Sequence, residues 1–292
     1  MLSDLDMANQ MPVNPGTFIH DRYRIESVCV SSAASNVYTA WDTKISQKVV
    51  IKEYCLYIQQ VMEAALLRIK LQNGAGIVQI YDCFLENDRA YVILEHIEGE
   101  SLRSYLRHNG PIPFDRALAM ITPLLDFLTC LHKEGILHGN IEPGSIVVDQ
   151  NGFMKLADLD VSYRLSDKGN CVFPIVCPGY APPEQYFFGN AGPQVDIYAV
   201  GAVMYTMLTG IQLPESIERM KRDTLAEPIS QYCQITLQQE KAILRAIHLN
   251  PQKRTPTAVQ FLKELTEVHQ EKSKPILRKM IDYLVDHSIQ GG

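Results

Sequence analysis

His138-Gly-Asn-Ile-Glu-Pro-Gly-Ser-Ile-Val-Val-Asp-Gln-Asn-Gly-Phe-Met-Lys-Leu-Ala-Asp-Leu-Asp160 is the stretch on which the reading of this chain turns. It reads as a polar loop followed by a hairpin, and it ends on the carboxylates Asp158 and Asp160. The segments on its two sides differ in kind.

Upstream, residues 23–28, 36–42 and 47–54 alternate apolar and polar positions as strands do. Residues 59–71 carry apolar side chains at helical spacing, and Gly74-Ala-Gly76 stops that helix. Residues 77–84 and 89–97 read as two further strands joined by the turn 86–88. About five strands and one helix can close one small core. Residues 1–16 are polar, end in Pro15-Gly16, and read as a flexible lead.

Downstream the pattern turns helical. Ser101 is an N-cap candidate. Residues 114–134 are amphipathic, but Pro123 inside them should kink or break the helix. Residues 161–183 read as an ordered loop. Residues 195–210 are apolar nearly all round, the mark of a helix buried on every side. Helices also fit 237–250 and 256–269. In 274–289, Ile276, Leu277, Met280, Ile281, Leu284 and Val285 make an amphipathic helix that needs a surface, either the α lobe itself or a partner.

Nearly half of the 292 residues are apolar, and the net charge of −6 argues against a nucleic-acid footprint. Seven scattered cysteines without a CxxC pair indicate neither a disulfide framework nor a zinc site, and fit reduced thiols in the cytoplasm. The start has no signal-peptide pattern, and no apolar run is long enough to span a membrane.

The order of these elements, with their motifs, resembles the bacterial (Hanks-type) serine/threonine protein kinase family. The implied fold is α+β and bilobal: a β-rich N-lobe with one helix over 17–98, a larger mainly α-helical C-lobe over 99–270, and a tail over 271–292. Val49-Val-Ile-Lys52 looks like the V-A-I-K strand, whose Lys grips phosphates and pairs with a helix Glu, here Glu63. Taken alone, Lys52 would pass for a solvated strand-end lysine. The resemblance places Val37, Val50, Leu94 and Val147 around a nucleotide, with backbone groups of Glu95 and Ile97 facing the adenine. His138 opens the catalytic loop, and Asp196 holds its backbone. Cys177-Pro-Gly-Tyr-Ala-Pro-Pro-Glu184 resembles the A-P-E segment, and Arg254 is the partner implied for Glu184.

The chemistry departs from the family at most of its polar positions. Val30, Ser32 and Ser35 stand where the phosphate loop has glycines, so a plain hairpin is expected. Val50 adds bulk against the adenine, and overpacking costs about 1–3 kcal/mol. Asn140 replaces the catalytic Asp, and an amide cannot accept a proton as a carboxylate does. Glu142 replaces a phosphate-steadying Lys, Ser145 an Asn that binds metal, and Asp160 the Gly of D-F-G. These changes leave the centre two charges more negative than the family pattern. One like-charge contact near 4 Å costs about 4 kcal/mol at an effective dielectric of 20. Asp158, with Asp160 beside it, could still recruit a cation. Gly139 replaces the Arg that reads a phosphorylated loop, so Ser162 and Ser166 read as plain loop serines.

The resemblance therefore implies a pseudokinase that needs no cofactor, binds Mg-ATP weakly or not at all, and serves bacterial signalling as a scaffold or allosteric regulator by binding a protein partner, either an active kinase or a second copy. Two alternatives stay open. One is an unconventional phospho- or nucleotidyl transferase using Lys52, Asp158 and Glu142 as a displaced base. The other is a nucleotide-sensing module without turnover.

Overall fold

The structure, a computed structural model, describes residues 11–32, 35–56, 58–69, 76–157, 163–164, 176–187, 191–222 and 228–267. The expectations for Asp158, Asp160, Ser162, Ser166 and the 274–289 helix lie outside these residues.

Strands β1 (Phe18–Ile19), β2 (Tyr23–Ser31), β3 (Ser35–Asp42), β4 (Gln47–Tyr54), β5 (Ile80–Glu86) and β6 (Arg89–Glu95) form one antiparallel sheet in the order β1-β2-β3-β4-β6-β5. Alternation gives the sheet two buried faces. Tyr23, Ile25, Tyr38, Ala40, Val49, Ile51, Tyr91 and Ile93 pack together on one. On the other, Tyr54, Val78, Ile80, Ala90, Val92 and Leu94 pack against Val61 and Ala65 of α1 (Ile58–Ile69).

Residues 11–16, expected to be a flexible lead, lie against the sheet. Val13 packs on the first cluster and Gly16 N–H donates to Ile25 O at 2.8 Å. Polar composition hid this because the docking uses the main chain and a single apolar side chain. The strand expected over 77–84 starts late, at Ile80. Ile77 and Val78 pair instead with Leu156, as a parallel bridge and a 3.0 Å hydrogen bond, and so join the lobes.

The C-lobe is built on α3 (Phe114–Lys133) and α5 (Gln194–Thr209), with α2 (Leu102–Asn109), α4 (Pro183–Tyr186), α6 (Ser216–Lys221), α7 (Leu237–Ala246) and α8 (Ala258–Thr266) around them. Ser101 caps α2 as expected, accepting from Ser104 N–H at 3.2 Å. Pro123 does not break α3. Its cost of about 3 kcal/mol is outweighed by burial of Ile121, Leu124, Leu125, Phe127, Leu128 and Leu131, each worth about 1.5–3 kcal/mol. Every residue of α5 from Val195 to Thr209 is buried, and Gly210 ends the helix at φ +73°, a left-handed turn that suits glycine. Short strands β7 (Gly99–Ser101), β9 (Ile146–Asp149) and β10 (Met154–Leu156) form a second sheet under the cleft, and β8 (Ile136–Leu137) pairs with β11 (Tyr163–Arg164).

Candidate active site

The loop after β8 is held from below by α5. Asp196, fully buried, accepts from the main-chain N–H of His138 at 2.9 Å and of Gly139 at 2.8 Å, and bonds to His132 Nε2 at 2.8 Å. Burial pushes its carboxyl up, but the bond from His132 and the backbone donors outweigh this and hold it below the usual carboxylate range. Gly139 sits at φ +70°, a conformation other residues resist, and its carbonyl accepts from Gln185 Nε2 at 2.7 Å. His138 Nε2 lies 2.9 Å from Ala157 O, tying the loop to the end of the β9–β10 hairpin.

Glu184 and Arg254 meet as expected. The guanidinium binds both carboxylate oxygens, at 2.5 and 3.0 Å. Its remaining donors reach His248 O, Leu249 O and Gln194 O, and it lies 5.0 Å from the centre of the Tyr198 ring. Arg254 is 2 % exposed, and every one of its donors is satisfied, as a buried guanidinium requires.

The loop's altered positions are each engaged by bonds within the chain. Glu142 Oε2 accepts from Arg103 Nη2 at 2.6 Å and from Gly144 N–H at 2.7 Å. The buried Ser145 hydroxyl donates to Glu142 O at 2.9 Å and accepts from Glu142 N–H at 3.0 Å. Facing the main chain in this way, it does not fit the place of a metal ligand. Asn140 Oδ1 accepts from Cys177 Sγ at 3.1 Å.

Across the cleft, β3 and β4 place Val37 opposite Lys52, and β6 sets Leu94 opposite Val50. Val50, Leu94, Ile97 and Ala157 share one apolar cluster. Val147 lies in β9 opposite Ser101. At the hinge, Glu95 N–H donates to Gln79 O at 2.9 Å, and the Glu95 carboxylate pairs with Lys155 at 2.6 Å. The main-chain N–H of Glu95 is thus already engaged within the protein. At the base of the β2–β3 hairpin the main chain bonds to itself; the expected plain turn at 33–34 lies outside the described residues. Ser32 N–H donates to Ser35 O at 3.0 Å, and Ser35 N–H to Ser32 Oγ at 3.1 Å, which turns these amides on the turn itself.

Glu63 is not brought to Lys52. It is exposed and accepts from Gln59 at 3.1 Å, and no ion pair joins it to Lys52 among the described residues. Val61 and Ala65 carry the buried face of α1, and at 3.6 residues per turn Glu63 stands roughly 160–200° from them.

A buried carboxylate of this lobe is the next residue after Lys52. Glu53 is 0 % exposed and accepts from Asn36 at 2.8 Å, Tyr38 at 2.5 Å, Tyr91 at 2.9 Å and Arg89. Burial pushes its carboxyl up, and these four donors more than reverse that. Sequence reading passed over Glu53 and Arg103. The one available signal was an acidic residue at a core-facing position of β4, in register with Val49 and Ile51.

A small sheet lobe, a helical lobe, an Asp-held loop and a buried Glu–Arg pair define a protein kinase domain. The protein kinase domain family matches residues 31–282, and the chain belongs to that family. It is 25% identical over 278 residues to serine/threonine-protein kinase PknB of Mycolicibacterium smegmatis, covering 86% of this chain and 44% of that protein. It is 28% identical over 269 residues to a probable serine/threonine-protein kinase of Clostridium acetobutylicum, covering 87% of this chain and 41% of that one. With the probable PknB of Lactococcus lactis the identity is 30% over 210 residues, covering 68% of this chain and 33% of that protein. The chain thus spans less than half the length of these relatives, which place it in the Hanks-type branch. Among the described residues no helix is long and apolar enough to cross a membrane.

Proposed function

We propose that this chain is a pseudokinase: it keeps the two-lobed frame, transfers no phosphate, and works by binding a protein partner, either an active kinase or a second copy. The observation that carries this reading is that the altered positions of the catalytic loop are all engaged by bonds within the chain. Glu142 is held by Arg103 and Gly144, Ser145 by the Glu142 main chain, and Asn140 by Cys177. A displaced base at Glu142 would first have to leave a charge-assisted bond, worth about 1.5–3 kcal/mol. General-base assistance is typically worth about 10²–10⁴-fold, and an amide at position 140 cannot supply it.

The test is incubation with radiolabelled ATP and Mg²⁺, alone and with generic protein substrates. No label should transfer to either. Transfer that disappears in Glu142→Gln would refute the reading and favour an unconventional enzyme. Thermal shift with Mg-ATP should be small, and pull-down followed by mass spectrometry should return a protein partner.

A further inference from the structure

A chain of hydrogen bonds runs from the N-terminal segment into the strand that carries Lys52. Val13 N–H donates to Tyr38 OH at 3.0 Å, and Tyr38 OH donates onward to Glu53 Oε2 at 2.5 Å. Tyr38 is 0 % exposed, so its hydroxyl has no water to fall back on. The other branch reaches the β2–β3 hairpin: Ser31 Oγ donates to Asn36 Oδ1 at 2.7 Å, and Asn36 Nδ2 to Glu53 Oε2 at 2.8 Å. Glu53 Oε1 takes Tyr91 and Arg89 from β6. One carboxylate therefore ties β3, β4 and β6 together, and all four of its acceptor sites are filled. Bonds in such a network polarise one another, so losing an outer donor weakens the inner ones.

We propose that residues 11–16 act as a strap that controls the order of the cleft strand. With Val13 seated on Tyr38, the Glu53 carboxylate clamps β4 beside Lys52 and clamps the hairpin over it. With the strap drawn away, Tyr38 loses its donor, the clamp slackens, and β4 and its end loosen. The cleft face is then set by what holds residues 11–16. This inference stands apart from the pseudokinase reading, since it concerns order in β4 and not phosphate transfer.

Cys55 supplies a native probe. It is a free, half-buried thiol directly after β4, and Arg89 and Glu53 both act on it electrostatically. Cys233, half-buried in the C-lobe, is the internal control. The full chain would be alkylated with N-ethylmaleimide and each site followed by mass spectrometry. Deleting residues 2–14 should speed labelling at Cys55 several-fold and leave Cys233 unchanged. Val13→Pro, which removes the N–H and leaves the chain whole, should do the same if the deletion folds poorly. Tyr38→Phe, which removes the inner bond outright, should raise the rate at least as much as the deletion, and combining the two should add nothing. An unchanged rate at Cys55, an equal rise at Cys233, or additive effects of Tyr38→Phe and the deletion would each overturn the strap.

Discussion

Arg103 Nη2 lies 2.6 Å from Glu142 Oε2, which joins the first turn of α2 to the catalytic loop. Where the family pattern has a lysine aimed at phosphate, this chain has a carboxylate aimed at its own arginine. The charge that the sequence leaves uncompensated is neutralised locally, by a residue far away along the chain. Arg103 N–H also donates to Pro143 O at 3.0 Å, so α2 and the loop are joined by main chain as well.

Glu142→Lys should therefore destabilise the fold. It removes a charge-assisted bond and sets two cations side by side, a loss of about 1–3 kcal/mol. Adding Arg103→Glu should recover at least half of it, because the pair is restored in reverse. Thermal melts of both single variants and the double variant give the coupling. Strictly additive effects would show that the contact contributes nothing.

Arg254→Lys should cost far more. Lysine offers three donors at one point, whereas Arg254 serves Glu184 and three carbonyls from a planar fork. Breaking a buried pair from one side costs about 3–5 kcal/mol. At roughly 2–4 °C per kcal/mol, calorimetry should find the melting temperature lowered by roughly 6–20 °C. A drop of a degree or two would mean that the frame does not depend on this pair.

Gly139→Arg, which restores the family residue, should also destabilise. A β-carbon in the left-handed region costs about 1–2 kcal/mol, and the same backbone must keep its bonds to Asp196 and Gln185. Denaturant melts would show it. An Arg variant as stable as the parent would mean that the loop can relax out of positive φ.

Stability should fall on the acid side. Glu53 and Asp196 both titrate lower in the folded chain than in the unfolded one, whose carboxyls lie near about 4. Their contribution is therefore complete above about pH 4 and is lost as pH drops through the folded values. Glu53→Gln should lower stability at pH 7 by about 1.5–3 kcal/mol and flatten the acid limb of a melting-temperature profile from pH 7 to 3. An unchanged acid slope would remove Glu53 from the account.

Asn140→Asp alone should not create phosphate transfer. The new carboxylate would still face Cys177, with Glu142 and Ser145 turned inward beside it. Radiolabel transfer by this single variant would show that the loop's other bonds give way readily, and would weaken the pseudokinase reading.

The all-apolar pattern located the buried helix, and the family resemblance implied the loop at His138, the role of Asp196 and the Glu184–Arg254 pair. These were legible because each sits in a short local motif that the resemblance could match. The facing of Glu63 was not legible. Its place on α1 depends on how the short connection after β4 rotates the helix, and no residue type encodes that angle. The continuity of α3 through Pro123 was equally hidden, since the local penalty is visible in the sequence and the burial that outweighs it is not.

What the amino-acid order determined by itself was a β-rich part followed by a mainly helical one, which periodicity carries, and the motifs whose family resemblance implied the kinase fold and the departures in its centre. What only the tertiary structure decided was where those departures turn. Glu142 meets Arg103, Ser145 folds onto its own loop, and Glu53 gathers four donors from β3 and β6. The physical reason is that a buried or half-buried charge takes its partner from whatever the packing brings within about 3 Å, and that partner can lie anywhere along the chain.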